Sequence, residues 1–302
     1  MAIQTVRANV NGTWHTLSYD AASGSYKATI SAPGATSYHQ SGGYYNVSVE
    51  ATNDAGTTGT ADGATLPGLQ LVVLEKVAPV ITILSPSSGA YVSNSKQPVV
   101  FNVVDEAGGS GVDPDSVVVK LDNVAVAAGT IARTEITNGY SFTYTPAEAM
   151  QDGSHTVTVN ASDHDGNAAA AKSTTFTVDT VPPTLNITAP ADNLITNTAS
   201  LNVVGVTNDA TSSPVTVRIS LNGADQGSVT VQSNGSFSKT VTLQEDSNTI
   251  VVTATDAAGK ASSVTRSVTL DTSVPVIQSA TITPNPVDAG ATMVISVVIS
   301  EG

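Results

Sequence analysis

Between Ser154 and Thr188 the chain alternates apolar and polar residues, breaks, and alternates again. Val157, Val159 and Ala161 interleave with Thr158, Asn160 and Ser162, which gives a strand one apolar and one polar face. Asp163-His164-Asp165-Gly166 follows as a turn, with glycine free to take positive φ. Thr174–Val178 is expected to pair back. Pro182-Pro183 then ends the sheet, because proline has no N–H to give a ladder, and Leu185 and Ile187 open the next alternation.

The same pattern is written three times. Tyr45–Gly56, Val157–Gly166 and Asn248–Gly259 share V/I-x-V-x-A-S/T-D/N-x-x-G, and proline linkers recur at Val77–Pro79, Asp179–Pro183 and Asp271–Pro275. Strand-period repeats joined by proline linkers mean tandem β domains. The expected organisation is a short divergent domain at 1–76, sandwiches at 77–180 and 181–272, and an incomplete domain at 273–302.

In 1–76, strands are expected at Ile3–Val10 and Thr13–Tyr19 around the type I′ turn Asn11-Gly12, then at Tyr26–Ile30, Tyr44–Thr52 and Leu69–Leu74, with 53–68 a loop. Trp14 reads as a core residue, against a sugar-stacking alternative. Tyr38, Tyr44 and Tyr45 either pack near strand corners or line a glycan patch. In 77–180 the strands are Val80–Leu84, Val99–Val104, Ser116–Leu121, Tyr140–Tyr144, Thr156–Ser162 and Thr174–Val178. In 181–272 they are Leu201–Val206, Val215–Asn222, Ser228–Val231, Ser236–Leu243, Thr249–Thr255 and Val264–Leu270.

The 302 residues carry a net charge of −14 and only 12% charged side chains, about half the usual ~25%. That balance argues against nucleic acid, whose phosphates need Lys and Arg, and against anionic lipid. Cysteine is absent, so disulfides, thiol catalysis and cysteine metal sites are excluded. No apolar run is long enough to span a membrane, and Met1–Arg7 lacks the pattern of a signal peptide.

Acidic residues are the candidate chemistry. The loop D-E-A-G-G-S-G-V-D-P brings Asp105, Glu106 and Asp113 together at a density that suits Ca²⁺, the alternative being a solvated turn. Asp163 and Asp165 flank His164 in the repeat turn, and Asp179, like Asp271, precedes a new domain. Turn aspartates such as Asp163 and Asp256 could meet those linker aspartates across a Ca²⁺ that stiffens the junction. The third domain has only Asp209 where the second has its acidic loop, so if that loop binds metal in the second domain, the third is not expected to use it. His15, His39, His155 and His164 do not converge with a nucleophile, and no phosphate-cradling or zinc spacing occurs. The expectation is a non-enzyme with no cofactor other than Ca²⁺.

The last segment contains the apolar run Met293, Val294, Ile295, Val297, Val298 and Ile299. Two strands are marginal alone. The readings are a chain cut within a domain, a piece packed on its own third domain, or strands that complete a sheet in a neighbouring subunit.

The D/N-x-x-G turns, the V-D-T-V-P-P linker and the S-G-V-D-P loop resemble those of bacterial immunoglobulin-like domains, most clearly over 77–302. The resemblance implies an all-β fold of tandem sandwiches in an elongated array. It also implies a non-enzymatic role, either as a phage or phage-like particle surface or tail component or as a secreted adhesin stalk. A carbohydrate-binding module is the third reading. Partners would be other particle subunits, a second copy through the C-terminal strands, or a host-surface or mucus glycan, with neither nucleic acid nor membrane insertion. The place would be a virion surface or, alternatively, the bacterial cell surface.

Overall fold

A computed structural model describes residues 2–301. The chain divides into two compact units, Met1–Val178 and Asp179–Gly302, and every regular element longer than a single 3-10 turn is a strand.

The first unit begins with a five-stranded sheet in the order Ser25–Lys27, Thr13–Asp20, Ile3–Val10, Ser48–Asn53, Thr58–Asp62. Asn11 (φ 50°) and Gly12 (φ 82°) make the expected type I′ hairpin between Ile3–Val10 and Thr13–Asp20. Thr58–Asp62 lies inside the stretch expected as loop. Its Thr58, Thr60 and Ala61 carry a strand alternation too weakly apolar to read, yet it pairs in register with Ser48–Thr52. Gln70–Leu71 does not close this sheet but pairs with Tyr45–Asn46 in a separate ribbon. Trp14 is a second correction: it is 42% exposed on the outer sheet face, with the Arg7 guanidinium 4.5 Å from its ring centroid. The alternation of Thr13–Asp20 puts Leu17 inward and Trp14 outward. Tyr45 does pack its ring in the core and donates its hydroxyl to the Ala35 carbonyl at 3.2 Å.

The rest of this unit is a two-sheet sandwich. One sheet runs Ile131–Ile136, Gly139–Tyr144, Val99–Val104, Val80–Ser85; the other runs Val124–Ala125, Val112–Leu121, Gly153–Asp163, Lys172–Val178, Tyr91–Val92. Val99, Phe101 and Val103 alternate inward against Val157, Val159 and Ala161, with Phe142 and Phe176 filling the layer between. Each such large side chain contributes about 1.5–3 kcal/mol on burial. Ile131–Ile136, mostly exposed, is an edge strand whose sequence gave little alternation.

The second unit repeats the plan. Thr184–Ala189, Ser200–Asn208 and Ser236–Thr242 form one sheet; Leu194–Thr196, Ala261–Leu270, Asp246–Thr255, Thr216–Leu221 and Ala224–Val229 form the other. In both sandwiches the opening strand divides. Val80–Ser85 and Thr184–Ala189 pair antiparallel with the second strand, Pro86 and Pro190 end that ladder, and Tyr91–Val92 and Leu194–Thr196 cross to pair in parallel with the last strand. A hairpin of Val276–Thr283 and Val294–Ser300 follows, and residues 271–299 are all exposed. It therefore does not join the core of the third domain, which removes that reading of the last segment.

Candidate functional site

Two acidic clusters stand out, one in each unit. In the first, carboxylate oxygens of Glu75, Asp105 and Glu106 lie within 4.8 Å of one another. Glu75 arrives on the linker ahead of Val80–Ser85, while Asp105 and Glu106 leave the end of Val99–Val104. Asp105 is 4% exposed; its Oδ2 accepts the Gly111 amide at 2.8 Å and its Oδ1 has no hydrogen-bond partner among the described residues. Glu106 Oε2 is likewise unpartnered. A Cβ on Gly109 would sit 2.7 Å from both Asp105 Oδ2 and Glu106 Oε1, so the loop backbone closes directly over the carboxylates. The Asp105 carboxyl beside it, together with burial, pushes Glu106 up to about 7. Two carboxylate charges about 4 Å apart repel by roughly 4 kcal/mol at an effective dielectric near 20.

The linker is tied into the turns of the domain that follows it. Ser110 Oγ donates to Glu75 Oε1 at 3.3 Å, and Asn167 Nδ2 reaches Glu75 Oε1 at 3.0 Å, the Glu75 carbonyl at 3.1 Å and Asp163 Oδ2 at 2.8 Å. Asp165 Oδ2 accepts the Glu75 amide at 2.9 Å and the Thr36 hydroxyl at 2.6 Å. Nearby, Tyr38 stacks on His164 at 4.4 Å and His39 Nε2 donates to the Gly109 carbonyl at 2.8 Å. Burial works against the Asp163 charge, but the Asn167 side chain and amide outweigh it and hold the carboxyl below its ordinary range.

In the second unit, Asp179, Asp209 and Asp256 form the corresponding group. Asp179 is fully buried; its Oδ1 accepts the Val181 amide at 3.1 Å and its Oδ2 the Ser212 hydroxyl. Asp209 Oδ1 accepts the amides of Thr211 and Ser212 at 2.8 and 2.7 Å. Asp256 is 6% exposed; its Oδ1 accepts the Lys260 amide at 2.8 Å, and its Oδ2 has no partner among the described residues.

The structure thus brings Asp105 and Glu106 together and places Asp179 in the other cluster. Asp113, Asp163 and Asp165 stand outside both: Asp113 Oδ1 caps the Asp115 amide at 3.0 Å, and Asp163 and Asp165 act as acceptors in the turn. Asp271 caps Ser273. Asp209, the single acidic residue of the third domain's loop, belongs to a cluster because Asp179 and Asp256 come to it from the linker and the turn. Glu75 was missed. The signal for it is positional: Glu75 precedes Val80 by the same spacing as Asp179 precedes Thr184. The apolar residues Met293, Val294, Ile295, Val297, Val298 and Ile299 all lie exposed around the terminal hairpin.

Residues 92–180 match the model of the bacterial Ig-like domain, and residues 183–272 match that of glucodextranase domain B. The second domain thus carries the sequence pattern of a bacterial Ig-like domain over 92–180, and residues 80–270 fold as two successive β-sandwiches. No curated protein matches the chain. Among solved structures it is similar to the fibronectin(III)-like modules of Clostridium thermocellum CbhA, at 18% identity over 63% of this chain and 94% of that one, with a TM-score of 0.42. It is also similar to a bacterial ice-binding adhesin of 1.5 MDa described for host cell surface retention, at 21% identity over 90% of this chain and 88% of that one, with a TM-score of 0.34.

Proposed function

We propose that the chain is a non-enzymatic spacer and attachment protein, held on the outside of a bacterial cell as part of a surface stalk. The observation that carries this reading is the treatment of the linkers. Glu75 and Asp179 are not free tethers: each is hydrogen-bonded into the loops of the domain it precedes. A flexible tether needs no such bonds, and a stiff spacer does. The bacterial Ig-like match over 92–180 supports a bacterial bearer. Few charged residues and a Ser/Thr/Asn-rich surface suit a polar stalk.

A second reading, a surface or tail component of a phage-like particle, is favoured by the exposed hairpin of Val276–Thr283 and Val294–Ser300, whose open edges suit strand addition to another subunit. Immunogold electron microscopy of the native source with antibody to residues 77–272 tests both. Label on cell envelopes supports the stalk. Label on particles replaces it with the second reading, and label confined to the cell interior overturns both.

A further inference from the structure

We propose that the terminal hairpin, Val276–Thr283 with Val294–Ser300, is a self-association surface, and that its apolar face packs on the same face of a second copy of this chain. The pairing goes beyond the stalk reading and holds wherever the chain is displayed.

The register sorts the hairpin's side chains onto two unlike faces. Ile277 lies opposite Ile299, Ala280 opposite Val297 and Ile282 opposite Ile295, with a bulge between Ile277 and Ser279 absorbing one extra residue. Those six side chains make one face without a polar group. The other face sets Thr283 opposite Val294, Thr281 opposite Ser296 and Ser279 opposite Val298. The apolar face is bare: Ile277 is 66% exposed, Ile295 and Ile299 60%, Val297 47% and Ile282 44%.

The same two-strand unit opens each complete sandwich. Val80–Ser85 pairs antiparallel with Val99–Val104, and Thr184–Ala189 with Ser200–Asn208, and a proline follows the first strand each time, as Pro284 does in the hairpin. In the first sandwich the apolar face of that unit, formed by Ile81, Phe101 and Val103, is no more than 6% exposed at any of the three, because the second sheet faces it. The hairpin presents the equivalent face, and among the described residues no sheet covers it. A sheet with one apolar face must bury it against a second layer.

Charge and shape point to a second copy as that layer. Neither strand contains an ionisable side chain, and after Arg266 the only charged residues are Asp271, Asp288 and Glu301. With a net charge of −14, most of the chain's surface repels a copy, whereas this face opposes one only at its acidic rim. A partner recognised by its charge would find nothing on the face to pair with. A two-fold contact matches the face with itself. Two such sheets stack about 10 Å apart with their strands within about 30° of aligned. Strands of eight and seven residues give a strip roughly 25 Å by 10 Å, well short of the ~800 Å² per partner of a standard interface, so the pairing is weak and reversible.

Analytical ultracentrifugation of the full chain tests the pairing, from about 1 μM to about 1 mM protein and in NaCl of about 0.02 M and about 0.5 M. The chain is expected to pass from monomer to dimer as its concentration rises. The midpoint should fall severalfold in the higher salt, because salt screens the acidic rim. Val297→Glu and Val298→Glu change the charge equally and differ only in the face they alter. Val297→Glu should raise the midpoint at least about tenfold and Val298→Glu no more than about twofold. Thermal melts of both variants should match the parent, since the hairpin lies outside the two sandwich cores. The proposal is overturned if the chain stays monomeric throughout, or if higher salt dissolves the dimer, which would make the contact ionic. It is equally overturned if Val297→Glu dimerises like the parent, which would place the contact on the strand edges or elsewhere.

Discussion

Asn167→Ala removes one side-chain amide from the junction between the first two domains, and the structure sets the size of the effect. Its Nδ2 contacts Asp163 Oδ2 at 2.8 Å, Glu75 Oε1 at 3.0 Å and the Glu75 carbonyl at 3.1 Å. Asp163 is 2% exposed, so its freed oxygen cannot recruit water easily. A hydrogen bond to a charged group contributes about 1.5–3 kcal/mol. The carbonyl bond is shared by the same nitrogen and adds little. Some relaxation of half-buried Glu75 offsets part of the loss, so the expected cost is about 2 kcal/mol, falling on the linker. Hydrogen exchange followed by mass spectrometry reads it locally. The Glu75 amide, which donates to Asp165 Oδ2 at 2.9 Å, should exchange roughly 30-fold faster. Peptides from the Val99–Val104 strand should be unchanged. Unaltered exchange at the linker would refute the argument that this contact holds it.

Further predictions follow from packing, backbone and charge. Phe176→Ala, at a fully buried position, should cost about 3–5 kcal/mol in urea unfolding, whereas Trp14→Ala, at an exposed one, should cost less than about 1 kcal/mol. Gly235→Ala should destabilise the third domain by more than about 2 kcal/mol in the same assay, since φ is +80° and the new Cβ would lie 2.1 Å from the Thr207 carbonyl oxygen. His155 titrates above its ordinary value: burial opposes its charge, but the Gln151 carbonyl at 2.8 Å and the Asp122 carboxylate at 2.7 Å outweigh burial. A raised histidine stabilises fully below its unfolded pKa near 6.5 and loses that contribution as pH rises through the higher folded value. Asp122→Asn should therefore lower stability by about 0.2–1 kcal/mol at pH near 5.5 and by less near 8.5, judged by thermal melts at the two pH values.

The sandwiches were legible in the sequence because their strands are buried on one face. Val99–Val104 is bounded as the alternation dictates, and Asn11-Gly12 turns with φ of 50° and 82°. What escaped were edge elements without an apolar face, such as Ile131–Ile136 and Thr58–Asp62, where pairing supplies what composition does not. Trp14 misled for a related reason: its residue type says interior, while its place in the alternation opposite Leu17 says exterior, and the register wins. For the acidic clusters, the aspartates were visible and their grouping was not. Cluster membership depends on which oxygen a turn residue leaves free, and Asn167 and Lys260 differ in a way that only the folded turn reveals.

A mechanical spacer of separately folded sandwiches gives way one sandwich at a time under load. Single-molecule stretching between the chain's ends tests it most directly. Discrete unfolding events are expected, including one that releases roughly 300 Å as residues 80–178 give up their two sheets at about 3.3–3.6 Å per residue. Smooth extension at low force, with no separate event for that sandwich, would contradict it.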